Sequence, residues 1–342
     1  MYDKFSNGSV WVRFDSHLHT KADKEFKYSD NENEFVSLYV EKLKTEKIDV
    51  GIITNHNKFD IDEFKALKRK ANKENIFLLP GVELSVNDGS NGIHCLVVFN
   101  QDEWLENGNN YIEQFLNETF AGKAKANYEN ENGRSNDNLI TTIEKLNKYH
   151  KDYFIILAHV EAKSGFFNEL NGGRIQEFGK NKLFRNNILG LQKVRTWDEV
   201  AKWEQWLENT LPAFIEGSDP KKIDEIGKGE KSYIKIGDYN FEAVKFALQD
   251  KEFRVKKEKP TIENGYIKSI TFDGSSCKLD GQTIEFSSSM NNLVGVRGSG
   301  KSSIIEAIRY GLDLPFGNNS IDTNYKNELV KQLLGSAGKI TI

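Results

Sequence analysis

Short apolar runs alternate with charged segments of helical length from about residue 10 to residue 250, and this alternation constrains the fold more than any other feature. The apolar runs are VWVRF (10–14), DVGIIT (49–54), IFLLPGVELSV (76–86), IHCLVVF (93–99), YFIILAHV (153–160), NILGL (187–191) and PAFIEGS (212–218). The charged segments between them include 34–47, 60–74, 138–150 and 197–209. Strands that alternate with helices predict an α/β fold with a parallel sheet, either open or closed into a barrel.

A second pattern begins after RVKKEKPTIENG (254–265), a charged, apolar-poor segment that is typical of a linker. Two short apolar runs, YIKSITF and QTIEF, follow it and precede NNLVGVRGSGKSSIIEAIRYGL. A chain of 342 residues is long enough for about two domains. We therefore expect a first domain over 1–255, a linker over 256–264 and a second domain over 265–342.

Composition excludes several classes of protein. A net charge of −4 gives no overall basic signature, so any surface that binds nucleic acid must be local. Cys95 and Cys277 are far apart and form no CxxC pair, which indicates free thiols. No apolar run approaches the ~18 residues of a membrane span, and no signal peptide is evident. We expect a cytoplasmic protein that does not enter a membrane.

Histidine is rare in this chain, but five of its six copies stand at the ends of apolar runs. His17 and His19 are one residue apart in FDSHLHT, so a strand would project both to the same side. The others are His56 in TNHN, His94 before CLVVF and His159 after FIILA, whereas His150 lies in a charged segment. Glu83 in PGVELS and Asp219 in EGSDP occupy equivalent positions.

These side chains would converge in a βα barrel, because the carboxyl ends of parallel strands gather on one face. Imidazoles and carboxylates without cysteine suit Zn²⁺, Mn²⁺ or Fe²⁺ in a catalytic site. A carboxylate shared by two ions would set them about 3.5–4 Å apart, the spacing that clamps a phosphoryl group. The alternative is that each histidine only caps or packs, and it is strongest for His94, which begins its apolar run.

The motifs DSHLHT, TNHN, PGVELS, HCLVVF, LAHV and EGSDP, in this order, resemble those of the PHP (polymerase and histidinol phosphatase) superfamily. The resemblance covers about residues 11–255 and implies a distorted (β/α)7 barrel that hydrolyses phosphoesters with two or three metal ions. It implies that His17, His19 and Asp219 hold one ion. Glu83 would bridge to a second ion held by His94 and His159.

Two positions depart from the family pattern. Asn55 precedes His56 where the family has aspartate, and Lys221 replaces a histidine. In the family these positions serve a third ion, with another ligand near Glu25, but a protonated lysine cannot bind a metal. We therefore expect two ions, with His56 and Lys221 as catalytic residues. Lys221 either contacts the substrate phosphate or replaces the third ion electrostatically; the alternative is an ordinary surface lysine.

The segment GVRGSGKSS (295–303) fits the phosphate-binding motif G-x₄-G-K-[ST], between the apolar NNLVGV and the helix-like SIIEAIRYGL. Its backbone N–H groups would face phosphate oxygens, Lys301 would reach the β and γ phosphates, and Ser302 would bind Mg²⁺. The alternative is a glycine-rich turn. The residues predicted to bind ATP are Gly295, Gly298, Ser299, Gly300, Lys301, Ser302 and Ser303.

The region from about 262 to 342 resembles the N-terminal lobe of SMC-like ABC ATPases. The succession of the two regions resembles TrlF-like proteins. The resemblance implies ATP with Mg²⁺ as ligand and self-association through the ATPase. No acidic strand and no LSGG-like stretch follows Ser303 in the sequence. We therefore expect an incomplete ATPase lobe, most simply explained by truncation, and no ATP hydrolysis by this chain alone.

Together these resemblances imply a metal-dependent phosphodiesterase, and more specifically a nuclease regulated by the ATPase, with DNA or RNA as partner and a role in anti-phage defence. A basic helix face in KALKRKANK (65–73) agrees with this, although such runs are commonly just solvated. Two alternatives stay open. One is a phosphomonoesterase of the histidinol-phosphatase type, and the other is a degenerate PHP domain that acts as a scaffold for the ATPase.

Overall fold

The computed structural model describes residues 3–261, 264–315 and 320–342. By its internal contacts the chain divides into two units, Val10–Pro260 and a second unit made of Met1–Ser9 with Thr261–Ile342. The linker predicted over 256–264 spans this division, and its residues 262 and 263 lie outside the described part of the chain.

The first unit contains one mixed sheet. Its strands are β1 Val10–Leu18, β2 Val50–His56, β3 Phe77–Val86, β4 Ile93–Phe99, β5 Tyr153–Leu157, β6 Ile188–Gln192, β7 Ala213–Ile215, β8 Ser232–Ile236 and β9 Val255–Lys256. They are ordered β7-β6-β5-β4-β3-β2-β1-β8-β9, and the outermost strands β7 and β9 approach each other. The α/β class with a barrel-like, nearly closed sheet is thus confirmed.

The sheet is mixed, whereas the alternation of strands and helices predicts a parallel one. Strands β1, β2, β3, β5, β6 and β7 run in one direction, whereas β4 is antiparallel to both β3 and β5, and β8 is antiparallel to β1. The reason is the short connection Asn87–Gly92 between β3 and β4, which reverses the chain as a hairpin does. The start of β4 therefore lies at the same edge of the sheet as the ends of β3 and β5, which run in the opposite direction.

Helices connect most of the strands. They are α1 Phe35–Thr45, α2 Ile61–Lys73, α3 Gln101–Trp104, α4 Tyr111–Thr119, α5 Lys125–Tyr128, α6 Leu139–Lys148, α7 Phe166–Glu169, α8 Gly172–Lys180, α9 Lys182–Asn187, α10 Val200–Trp206, α11 Phe241–Gln249 and α12 Lys251–Arg254. Short 3₁₀ helices lie at Asp3–Phe5, Glu106–Gly108, Trp197–Glu199 and Ile223–Glu225.

Asparagine and aspartate begin many of these helices. The side chains of Asp60, Asn110, Asn138 and Asn240 each accept a hydrogen bond from the backbone N–H three residues later, at the first turn of α2, α4, α6 and α11. Such caps satisfy N–H groups that have no partner within the helix. The buried faces of these helices, including Phe64, Ile143 and Val244, then cover the sheet.

The second unit has its own small core. Its strands are β10 Ser269–Asp273, β11 Gln282–Glu285 and β12 Lys339–Thr341, ordered β11-β10-β12, and its helices are α13 Lys301–Gly311 and α14 Ser320–Leu334. Ile270, Phe272, Ala307, Val330 and Leu333 form that core.

The strand expected just before the phosphate-binding motif is not formed. Residues 291–297 have no strand pairing, and Val294 and Val296 are 92% and 80% exposed. A strand needs a neighbour to bond its backbone groups, and none of the described strands of this unit supplies one there. Among the described residues, no helix is both long and apolar enough to cross a membrane.

Candidate metal centre

The candidate ligands lie at the edge of the sheet where the parallel strands end. His17 lies near the end of β1 and His19 just after it, His56 ends β2, and Glu83 lies in the second half of β3. His159 and Asp219 follow β5 and β7, whereas His94 is the second residue of the reversed strand β4. The direction of β4 thus brings His94 to the same edge as the others.

The Glu83 carboxylate lies at the middle of five imidazoles. Its Oε2 is 2.8 Å from His17 Nε2, 3.3 Å from His19 Nε2 and 3.1 Å from His56 Nε2. Its Oε1 is 2.9 Å from His94 Nδ1 and 3.2 Å from His159 Nε2. The two oxygens of one buried carboxylate therefore divide the imidazoles into a group of three and a group of two.

Asp219 joins the first group. Its Oδ1 is 3.2 Å from His19 Nε2 and 3.8 Å from His17 Nε2, and the two histidine Nε2 atoms are 3.0 Å apart. All six side chains predicted to bind metal, together with His56, are thus brought together.

The nitrogens on the far side of the rings are bonded elsewhere. Asp23 Oδ2 lies 2.9 Å from Nδ1 of both His19 and His56, and Gln192 Oε1 lies 3.1 Å from His17 Nδ1. His94 Nε2 lies 3.1 Å from the backbone oxygen of Glu131. Carboxylate and carbonyl oxygens accept hydrogen bonds, so each of these far nitrogens carries the proton. The opposite nitrogen, which faces Glu83, is then the one that would bind a cation placed between the ring and that carboxylate.

Electrostatics keeps the two carboxylates ionised. Burial opposes ionisation, but the neighbouring His17, His56 and His94 hold the pKa of Glu83 well below its usual value. Burial likewise opposes the ionisation of Asp219, and His17 and His19 hold its pKa well below its usual value. His17 differs from its neighbour, because burial lowers its pKa, whereas hydrogen bonds to Asp219 and Asp23 outweigh burial and raise that of His19.

This donor set fits divalent cations. Around a tetrahedral zinc ion, ligands at about 2.0–2.2 Å lie roughly 3.3–3.5 Å from one another. The Nε2 atoms of His17 and His19 lie 2.8 to 3.8 Å from each other and from the nearer oxygens of Glu83 and Asp219. His159 Nδ1 is buried and has no hydrogen-bond partner in the described part of the chain, so that ring offers a further unused nitrogen. Whether these residues bind metal stays a prediction.

Lys221, predicted to be catalytic, lies at the margin of the centre. Its Nζ is 2.8 Å from Glu25 Oε2 and 3.1 Å from Asp219 Oδ1. Burial opposes its charge, but the pairing with Asp219 and Glu25 raises its pKa. The ammonium thus bridges two carboxylates beside the histidine cluster, and one of them is Glu25, near which the family resemblance implied a ligand of a third ion.

Sequence reasoning missed several residues of the centre. Asp23 and Gln192 hold the histidines from behind, and Lys193 pairs with Asp219 at 3.2 Å. The polar segment 127–138 carries the backbone oxygen of Glu131 to His94. Asn57 holds this segment through bonds from its Nδ2 to the carbonyls of Tyr128, Asn130 and Gly133. Gln192 and Lys193 were detectable only as polar residues at the end of an apolar run.

The predicted ATP-binding residues form a loop in the second unit. Gly298 and Gly300 have φ angles of 84° and 87°, which favour glycine, and α13 begins at Lys301. Lys301 Nζ donates to the carbonyl oxygens of Gly295 at 2.7 Å and Val296 at 2.9 Å. Lys301 therefore lies over its own loop. In a nucleotide complex, phosphate oxygens would replace these two carbonyl oxygens as its partners. Nucleotide binding stays a prediction.

Comparison with known proteins gives few matches. No curated protein sequence matches the chain. Residues 261–336 match a family described as an AAA domain. One similar solved structure is a two-domain protein from Bacteroides vulgatus that contains a predicted PHP-like metal-dependent phosphoesterase; it is 12% identical over 72% of this chain and 64% of that chain, with a TM-score of 0.46. This chain therefore spans less than two thirds of that protein.

Two further solved structures are similar. One, from Bifidobacterium adolescentis, is described as a metal-dependent phosphoesterase and is 11% identical over 61% of this chain and 87% of that chain, with a TM-score of 0.43. The other is an amidohydrolase from Chromobacterium violaceum with bound sulfate and no metal, 11% identical over 63% of this chain and 90% of that chain, with a TM-score of 0.39. The chain is thus similar to proteins named for metal-dependent phosphoester hydrolysis and, in its second unit, to AAA domains.

Proposed function

We propose that residues 10–260 form a divalent-metal-dependent hydrolase of phosphoesters, and specifically a phosphodiesterase that acts on nucleic acid. The observation that supports this most is the single buried carboxylate of Glu83 between two groups of imidazoles. A bridging carboxylate with histidines on both sides is the donor arrangement that a pair of catalytic cations requires.

In this proposal His17, His19 and Asp219 would hold the first ion together with Glu83. His94 and His159 would hold the second ion, also with Glu83. Two divalent ions, Zn²⁺, Mn²⁺ or Fe²⁺, would activate water and polarise the phosphoryl oxygens. The protein's own contribution is to hold a proton on the far nitrogen of these rings, through Asp23, Gln192 and the Glu131 carbonyl, so that the nitrogen facing Glu83 would be the one to bind an ion.

His56 and Lys221 act on the substrate in this scheme. Asp23 holds His56 with its proton on Nδ1, so Nε2 can accept a proton. The Lys221 ammonium is partly exposed beside Asp219, where it can stabilise negative charge that develops on the phosphate. Lys221 thereby supplies charge without being a metal ligand.

The second unit would bind ATP and Mg²⁺ through residues 295–303 and regulate the hydrolase. Support comes from the glycine conformations at 298 and 300 and from the match of residues 261–336 to an AAA domain. An SMC-like ATPase attached to a nuclease suits a cytoplasmic, self-associating defence protein that acts on phage DNA or RNA. This wider role rests on the resemblance to such fusions.

The test compares wild type with His17→Ala/His19→Ala in an assay of single- and double-stranded DNA, RNA and a small phosphomonoester with Mn²⁺. We expect nucleic-acid cleavage by wild type and a loss of more than a hundredfold in the double variant, since the ions lose two ligands. His150→Asn is the matched control: it changes the one exposed histidine outside the cluster, and asparagine tolerates its φ of 52°.

Two results would contradict the proposal. Cleavage of the monoester alone would indicate a small-molecule phosphatase. Equal bound-metal content in wild type and the folded double variant, measured by mass spectrometry of the purified proteins, would remove the metal centre itself and leave a scaffold role.

A further inference from the structure

Two lysines form ion pairs with the two different oxygens of one candidate metal ligand, Asp219. Lys193 Nζ is 3.2 Å from Asp219 Oδ2, and Lys221 Nζ is 3.1 Å from Asp219 Oδ1. The side chains of Lys193 and Lys221 are 31% and 35% exposed, whereas His17, His19 and Glu83 are fully enclosed. The two ammonium groups are therefore more accessible to solvent than the buried ligands beside them.

Lys193 shares a backbone feature with two of the candidate metal ligands. His159, Lys193 and Asp219 follow the ends of β5, β6 and β7, and their φ angles are 27°, 59° and 51°. The left-handed region is uncommon for residues other than glycine, and such strain clusters at functional sites. A residue with a positive φ thus follows each of three neighbouring strands, and two of the three residues are candidate metal ligands.

An ordinary surface ion pair does not account for this arrangement. Partly exposed lysine–carboxylate pairs contribute about 0–1 kcal/mol to folding stability, which offsets little of the free energy that a strained backbone costs. Arg195, two residues further on, shows the structural alternative, because its guanidinium is bound in parallel by both oxygens of the buried Glu216. Lys193 is instead paired with Asp219, a carboxylate that would bind a metal ion.

Charge balance then indicates what the lysines bind. A divalent cation at Asp219 compensates the carboxylate, so the ion pairs with Lys193 and Lys221 weaken. Two partly exposed ammonium groups beside divalent cations would then attract an anion with several oxygens. Lysine ammonium groups are common ligands of phosphate.

We propose that Lys193 and Lys221 form a binding subsite for the phosphate group of the substrate, which becomes available when metal ions occupy Asp219. This inference rests on the proposed hydrolase and adds Lys193 as a residue that determines its substrate class. The recognised chemistry is a phosphate oxyanion, which either a terminal phosphate or a phosphodiester can supply.

The experiment measures the dissociation constant of inorganic phosphate for the full chain by equilibrium dialysis of ³²P-labelled phosphate, with and without bound Mn²⁺. We expect phosphate to bind wild type at least tenfold more tightly with Mn²⁺ than without added metal. Lys193→Met should weaken binding to the Mn²⁺-loaded protein roughly tenfold, as expected for a lost charged hydrogen bond. Lys193→Arg should retain most of the affinity, and the Mn²⁺ content should stay the same.

Lys163→Met is the matched control, because Lys163 is an exposed lysine on the segment after His159. Its phosphate affinity should equal that of wild type. Equal affinities of wild type and Lys193→Met, or no effect of Mn²⁺ on wild type, would overturn the subsite. Competition by a 5′-phosphorylated oligonucleotide and its 5′-hydroxyl counterpart, each tested against phosphate, distinguishes a terminal phosphate from a phosphodiester.

The subsite and the hydrolase can fail separately. Phosphate binding that depends on Lys193 without any hydrolysis would retain the subsite and reject the proposed function. Hydrolysis together with a phosphate affinity that is the same in wild type and Lys193→Met would retain the proposed function and reject the subsite.

Discussion

Side chains behind the imidazoles decide which nitrogen of each ring faces Glu83. Asp23 is the clearest case, since its buried Oδ2 receives the Nδ1–H of His19 and of His56 and also the backbone N–H of His56 at 2.6 Å. Its hydrogen bonds to both rings outweigh burial and lower the pKa of Asp23. One ionised carboxylate therefore orients two histidines at once.

Asp23→Ala should weaken metal binding by about 10- to 100-fold, the range for residues that support metal ligands from behind. Both rings would lose the acceptor that fixes their protonation. Asp23→Asn should lose less, because it keeps an acceptor oxygen. A competition titration with a zinc chelator measures the affinity, and unchanged affinity in a folded Asp23→Ala variant would contradict this role.

The turn between β3 and β4 is tied to helix α7 by Glu169. The Glu169 carboxylate accepts hydrogen bonds from the backbone N–H groups of Ser90, Asn91 and Ser164. Gly89 has a φ of 70°, and a Cβ there would lie 2.7 Å from Glu169 Cβ, so only glycine lets the turn approach this closely. The turn that reverses β4, and so places His94, is thus fastened to the segment that follows His159.

The turn also predicts a pH dependence of stability. Burial opposes the ionisation of Glu169, but bonds from Asn91, Ser164 and Ser90 lower its pKa. A lowered pKa in the folded protein contributes stability above the ordinary glutamate value of 4.5, and this contribution is lost as the pH falls below it. Glu169→Gln should therefore cost about 1 kcal/mol at pH 7, and progressively less as the pH falls below 4.5 toward the lowered pKa of the folded protein.

Urea unfolding followed by tryptophan fluorescence measures this difference, since all five tryptophans lie within Val10–Pro260. Glu177→Gln is the control, because Glu177 is well exposed and pairs only with Arg174 at the surface of α8. If Glu169→Gln lowers the free energy of unfolding by the same amount at every pH, the charge of Glu169 contributes nothing to stability.

The molecule consists of two units with separate cores, each with its own candidate site. The first core covers the sheet that carries the histidines, and the second lies between β10, α13 and α14. Because each site is built from residues of one unit, damage to one should leave the local structure of the other intact. This separation can be tested at Lys301.

Lys301→Ala should lower the affinity for MgATP roughly tenfold, since the motif loses the cation that contacts the phosphates. Bound Mn²⁺ and phosphoester hydrolysis in the absence of ATP should not change. Lys331→Ala, an exposed lysine of α14, is the control for the loss of a positive charge. Titration with a fluorescent ATP analogue gives the affinity, and an equal affinity in Lys301→Ala would reject the predicted nucleotide site.

Local patterns alone predicted the α/β class, the candidate ligands and the glycine-rich loop, because periodicity, strand ends and motif spacing are properties of short segments. Pairing across the sheet decided the rest. The reversal of β4 places His94 at the ligand edge, and Gln192, Lys193 and Asp23 contact His17, Asp219 and His56 across separations of 26 to 175 residues. Such contacts depend on strand order, register and closure of the sheet, which no short segment encodes by itself.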